Sequence, residues 1–184
     1  MALALFAEKG YANVGMRELA GALGIGCGSI YNHIESKEAL LLEFIEELYG
    51  ALYLNAMRTR HSRSAPERLR AIVRMHLALH DSMAQHFLLA EREWPSLGEA
   101  GQCQATEQRL RYEQVLMACL PPTLPRAACA RSIVSLLNQA PAWLPFGQGG
   151  AGEGWRTAQA MVQALLASVE TQQGGYPALR VVNT

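Results

Sequence analysis

The sequence predicts an all-α protein, with an N-terminal three-helix module containing a helix-turn-helix and a larger helical domain after it. Three observations carry this. Apolar residues recur at spacings of three and four along nearly all of the 184 residues. Alternating β-branched runs are almost absent. The breaks fall at Gly, Pro and Ser positions of the kind that start and stop helices.

The first helix is "MALALFAEK", stopped at Gly10. The second places Met16, Leu19, Ala20 and Leu23 on one face and ends at Gly24. A third, very short helix is expected from about Gly28 to Ile34, with Ile30 and Ile34 inward and Ser29, Asn32 and His33 outward. Two short helices joined by a glycine turn make a helix-turn-helix. The fourth helix starts at the N-cap Ser36 and runs to about Arg60, burying Leu40, Leu41, Phe44, Ile45, Leu48 and Leu52.

"RTRHSRSAP" then reads as a linker, and "SAPE" is a capping box opening a fifth helix to about Ser82. Further helices are expected at about 84–93, 103–120, 126–144 and 155–172, separated by "LPPTLP" and "PFGQGGAGEG". Pro141 should bend or end the third of these. The last carries Ala158, Met161, Val162, Leu165, Leu166 and Val169 on one face, and a tail follows.

Composition bounds the function without naming it. Sixteen basic residues balance 16 acidic ones, which neither selects nor excludes a nucleic-acid partner. Cys27, Cys103, Cys119 and Cys129 are widely spaced, and without a C-x-x-C pair they read as reduced, mostly buried thiols. No targeting segment opens the chain and no apolar run approaches about 18 residues, so a cytoplasmic protein without a membrane partner is expected. No metal site and no cofactor are expected.

The stretch "GIGCGSIYNHIESKEALL" is unusual: three glycines precede a compact cluster of Ser29, Tyr31, Asn32 and His33, and a long apolar helix follows. A packing element has no use for such a cluster. It is suited to meeting something outside the protein.

Over about the first 45 residues, "ALALFAEKGYANVGMRELAGALGIGCGSIYNHIESKEALL" resembles the DNA-binding module of the TetR family of bacterial transcriptional regulators. "LFAEKGY", "MRELA", "GSIYNH" and "SKEALL" stand in family order at family spacing. The resemblance implies a DNA-binding domain over 1–45, a ligand-binding and dimerisation domain over 46–175 and a tail over 176–184. It also implies a homodimer on a partly palindromic double-stranded operator, with a small-molecule effector that releases the DNA. "RLRAIVRMHLALH" and "QRLRYEQVL" are similar to members that sense acyl-CoA thioesters or other lipid-derived ligands, so the expected effector is small and largely apolar.

The chemistry of the cluster fits such a role. Asn32 can pair bidentately with adenine, Ser29 can meet a base or a phosphate, and Arg17 can reach a guanine edge or a phosphate. By family position Tyr31 and His33 resemble phosphate contacts, and Gly28 lets the backbone approach closely. Lys37 opens a helix, where the macrodipole disfavours a cation; an external phosphate explains it, and solvation beside Glu38 is the alternative.

Several features depart from the family pattern. Gly15 stands where Ser or Thr is usual, and Gly26 and Cys27 replace a Ser and a basic or Pro residue. Residues 1–60 hold five basic side chains (Lys9, Arg17, Lys37, Arg58, Arg60) against seven acidic ones (Glu8, Glu18, Glu35, Glu38, Glu43, Glu46, Glu47), a net of minus two. Weak non-specific DNA affinity follows. An in-frame coding segment rich in Arg and Lys is expected upstream of Met1.

In the larger domain, His76 and His80 lie on the stripe Leu69, Ile72, Val73, His76, His80, Met83, so both should point inward. They can be core histidines, polar groups of a ligand pocket or, with no further ligands evident, metal ligands. Phe87, Trp94, Tyr112, Met117 and Trp143 can line an apolar cavity or form ordinary core. Arg109 or Arg111 can meet a carboxylate or phosphate. The group Arg58, Arg60, Arg63, Arg68, Arg70 and Arg74 reads as a solvated face or an anion receiver. The expected function is a non-enzymatic, ligand-responsive transcriptional regulator, usually a repressor. The competing readings are a helical metalloenzyme and a dimeric ligand-binding protein whose helix-turn-helix no longer binds DNA.

Overall fold

The stop and start residues read from the sequence set the backbone. Gly24 adopts φ +71, ψ 23 and directs its N–H to Ala20 and Gly21 carbonyls, a left-handed ending that favours glycine. Ser36 Oγ accepts the Ala39 N–H at 2.9 Å, and Ser64 Oγ accepts the Glu67 N–H at 3.4 Å. The computed structural model describes residues 1–62, 64–143 and 151–175, and among these there is no β-strand.

The helices are α1 (Ala2–Lys9), α2 (Met16–Leu23), α3 (Lys37–Arg58), α4 (Ala65–Arg92), α5 (Glu99–Met117), α6 (Arg126–Asn138), α7 (Ala140–Trp143) and α8 (Ala151–Gly175). The first three form the N-terminal module, and α3 continues into the larger domain, where it packs against α4 and α5. Its buried stripe is Leu41, Ile45, Leu48, Tyr49, Leu52 and Ala56. Leu40 and Phe44 are only half-buried, because that side faces the thin N-terminal module, where Phe44 meets the edge of Phe6. The histidine stripe of α4 does point inward, with Leu69, Ile72, Val73, His76 and His80 buried.

Several expectations are corrected. The third helix is a single 3₁₀ turn, Ile30–Asn32: its glycine-rich approach and few residues cannot supply a helical nucleus, so one turn forms over the buried Ile30. The stretches expected to end at Ser82 and to begin at 84 are one helix kinked at Met83 (φ −125, ψ 25). Ser82 Oγ donates to the Leu79 carbonyl at 3.4 Å, a side-chain bond that bends helices.

Helix α5 starts four residues earlier than predicted, since Glu38 Oε1 accepts the Gly98 N–H at 2.7 Å and caps it from α3. A Cβ on Gly98 or on Gly101 would lie 3.2 Å from that same oxygen, so a side chain at either position would push the Glu38 carboxylate back by a few tenths of an ångström. Helix α8 starts inside the glycine-rich break, at Ala151. The helix expected to 144 ends at Asn138, and Pro141 lies in the short α7. Of the cysteines, Cys119 and Cys129 are buried, while Cys27 and Cys103 are exposed because each stands on the solvent side of its turn or helix. The expected tail over 176–184 lies outside the described residues, as does Arg63.

Nothing lies within 4 Å of a Cβ built on Gly24, so Gly24→Ala tests backbone conformation alone. We expect a loss of about 1 kcal/mol, read as a lower urea midpoint at unchanged slope.

Candidate nucleic-acid interface

Ile30 anchors the exposed turn. Its side chain is fully buried, while hydrogen bonds from Ser29 N–H to the Gly26 carbonyl (2.9 Å) and from Ile34 N–H to the Ile30 carbonyl (2.9 Å) wind the chain tightly around it. Gly28, Ser29, Tyr31, Asn32 and His33 are therefore all exposed, Tyr31 at 62%, a large value for an aromatic ring. Arg17 is exposed on the first turn of α2. Gly15 is the hydroxyl-free N-cap of that helix, and Cys27 is exposed in the turn.

Lys37 is placed differently from a solvent-facing lysine. Its Nζ donates to the Tyr11 carbonyl at 2.9 Å and the Val14 carbonyl at 3.0 Å, and lies 4.1 Å from the Tyr11 ring centroid. These acceptors offset the unfavourable helix-start position. Lys9 pairs with Glu18. Among the lysines and arginines of the described module, Arg17 is thus the one held by neither an ion pair nor a backbone carbonyl.

In the larger domain the structure gathers four of the eight pocket candidates. His76 Nδ1 and the Tyr112 hydroxyl share a hydrogen bond at 3.0 Å, and His80 stacks on Phe87 with centroids 3.7 Å apart. His80 Nε2 donates to the Leu137 carbonyl at 2.9 Å, and because a carbonyl only accepts, the proton sits on Nε2. Burial drives the His76 pKa well below the usual histidine range, reinforced by His80 and opposed by Asn138. Burial also lowers His80, against the Leu137 hydrogen bond. Burial raises the phenols of Tyr112 and Tyr49.

Arg109 stands beside this cluster, paired with buried Glu113 at 2.8 Å and donating to Ser135 Oγ at 3.1 Å. Trp94 lies in the turn after α4, Met117 ends α5, and Trp143 donates from Nε1 to the Leu136 carbonyl; all three are half-buried and outside the ring cluster. Asn138 was missed by sequence reasoning. It is buried in α6 and donates from Nδ2 to Glu91 Oε1 at 2.7 Å and to the Tyr49 hydroxyl at 3.4 Å. An asparagine four residues after Val134, on an apolar face, is the signal that could have found it.

The protein-family model described as bacterial regulatory proteins, tetR family, matches residues 1–44. The HTH-type transcriptional repressor KstR2 of Rhodococcus jostii (strain RHA1) is 41% identical over 54 residues, 27% of this chain and 26% of its own. The match therefore spans about a quarter of that relative. The TetR family transcriptional regulator PfmR from Thermus thermophilus is 26% identical with a TM-score of 0.76, over 90% of this chain and 94% of its own. Residues 1–44 thus match the TetR-family DNA-binding module, and the chain as a whole is similar in fold to TetR-family regulators. AibR, solved with isovaleryl coenzyme A and operator DNA, shares the TetR fold at a TM-score of 0.74 and 21% identity, over 90% and 94% of the two chains. Among the described residues, no helix is long and apolar enough to cross a membrane.

The lowered histidine pKa values fix the sign of a pH effect. A group whose folded pKa is depressed below about 6.5 leaves the unfolded chain binding more protons at acid pH, so its contribution is complete above that pH and is lost as pH falls towards the folded value. Urea unfolding at pH 7.5 and 5.5 should show lower stability at the acid pH. His76→Gln should shrink the difference between the two pH values by up to about 1.4 kcal/mol, the linkage of one histidine over that interval.

Proposed function

We propose that the protein is a dimeric, ligand-responsive transcriptional repressor that binds double-stranded operator DNA, with a DNA-binding domain over 1–45 and an effector-binding and dimerisation domain over 46–175. The observation that carries the reading is the exposed set Ser29, Tyr31, Asn32 and His33 held on a turn whose one apolar residue, Ile30, is buried. Asn32 reads adenine, Ser29 a base or phosphate, and Tyr31 and His33 hold phosphates where Gly28 lets the backbone come close. Arg17 adds a guanine or phosphate contact. Lys37 acts by pinning the Tyr11–Val14 loop, and its charge remains near the DNA face.

The effector is small and largely apolar, of the acyl-CoA or lipid-derived class, as the fold shared with AibR in its isovaleryl coenzyme A complex supports. His76, His80, Phe87 and Tyr112 offer it neutral, mainly aromatic surroundings, and Arg109 offers the neighbouring cation. Dimerisation uses α6 and α8. On α8, Ala158, Val162 and Leu166 pack inward while Met161 is 41% exposed and Leu165 half-buried, an apolar edge that a second copy covers. The protein acts in the cytoplasm, without catalysis and apart from membranes.

The engagement of Lys9 with Glu18 and of Lys37 with carbonyls favours one second reading, a dimeric ligand-binding protein whose module no longer binds DNA. Fluorescence anisotropy against the chain's own upstream DNA separates the two. The repressor reading expects binding with a shallow salt dependence, since few phosphates are neutralised. Asn32→Ala should cost about 1–3 kcal/mol of discrimination at one operator position, and Tyr31→Phe should weaken all sequences alike by about 1 kcal/mol. No binding at low salt overturns it.

A further inference from the structure

Helix α1 is completed by residues more than eighty positions away. The carbonyls of α1 after Phe6 have no helical partner, because Gly10 (φ +83) turns the chain aside once its own N–H has bonded the Phe6 carbonyl at 3.0 Å. Arg92 Nη2 donates to the Phe6 carbonyl at 2.8 Å and to the Ala7 carbonyl at 3.2 Å. Had α1 continued, the Tyr11 N–H would have bonded Ala7; instead Glu93 Oε1 accepts it at 3.3 Å. Arg92 Nε donates to the same Glu93 oxygen at 2.7 Å, and Ser96 Oγ donates to Glu93 Oε2 at 3.3 Å. The two side chains therefore replace the missing bond between Ala7 and Tyr11, Arg92 supplying its donor and Glu93 its acceptor, while Arg92 adds a second donor to the Phe6 carbonyl.

Their position gives this cap a second meaning. Arg92 ends α4, beyond the kink at Met83, and His80 and Phe87 stack across that kink. The aromatic cluster of the larger domain and the cap of α1 are thus two ends of one short helical segment. We infer that Arg92 and Glu93 are positioning residues that fix the orientation of the helix-turn-helix against the larger domain. Their effect on operator binding rests on the repressor reading above; their effect on module orientation does not.

Two exposed cysteines report the orientation directly, since Cys27 lies in the turn of the module and Cys103 in α5, while Cys119 and Cys129 are buried. Spin labels on Cys27 and Cys103, with labelled protein diluted into unlabelled protein, give the distance within one chain by pulsed electron resonance. The unaltered protein should show one narrow distribution. Arg92→Ala and Glu93→Gln should broaden it, and Arg92→Lys, which keeps a cationic donor, should recover most of it. Distributions that superimpose for all four proteins overturn the inference, and the two conservative variants keep the test valid if Arg92→Ala fails to fold.

In the DNA arm, Arg92→Ala should weaken binding to the upstream DNA about tenfold, with an unchanged salt slope because no phosphate contact is removed. Altered distances with undiminished affinity overturn the positioning role. Failure of the unaltered protein to bind DNA removes the repressor reading, and the distance measurement still decides the orientation.

Discussion

Much of the molecule depends on the first turn of α3, where three consecutive side chains each hold a different element. Ser36 caps α3 itself, Lys37 gathers the Tyr11 and Val14 carbonyls, and Glu38 caps α5 at Gly98. The Ala39 N–H, the Val14 carbonyl and the Gly98 N–H gain a partner that their own helix or turn does not supply, while the Tyr11 carbonyl accepts Lys37 beside the Val14 N–H. The same helix then runs 22 residues, about 33 Å, into the larger domain. Displacing that first turn therefore disturbs the loop before α2, the start of α5 and the frame of the exposed turn together.

On the proposed repressor reading, the exposed face is built for selectivity more than for attraction. Its polar groups are short or aromatic, and the nearby lysines are already engaged inside the module. Non-specific attraction to a polyanion scales with phosphates neutralised, whereas base-edge contacts act only once the register is right. A protein with this balance gains less from sliding along arbitrary DNA and more from a matched sequence.

What the sequence revealed follows the range of the interaction. Gly24, Ser36 and Ser64 act within four residues, so their roles were legible, and the inward direction of His76 and His80 followed from helical spacing alone. The turn at Ile30 was misread because alternation of inward and outward residues cannot separate one 3₁₀ turn from a short α-helix. The early start of α5 was illegible, since Glu38 lies 60 positions before the group it caps. At the proposed DNA face, exposure of Ser29, Asn32 and His33 was legible and the internal bonds of Lys37 were not, because its partners Tyr11 and Val14 are set by the fold. Asn138 escaped for the same reason: its partners, Tyr49 and Glu91, stand on two other helices.

The long-range cap on α1 also bears on the order in which the chain matures. When residue 45 has left the ribosome, every residue of the helix-turn-helix is outside it, yet the groups that bond the Ala7 carbonyl and the Tyr11 N–H are still 47 and 48 residues from emerging. Helix α1 has only eight residues, too few to persist without packing. The nascent module therefore waits for the end of α4 before its first helix is fixed, and its apolar face stays open to chaperones for longer than its position at the N-terminus suggests.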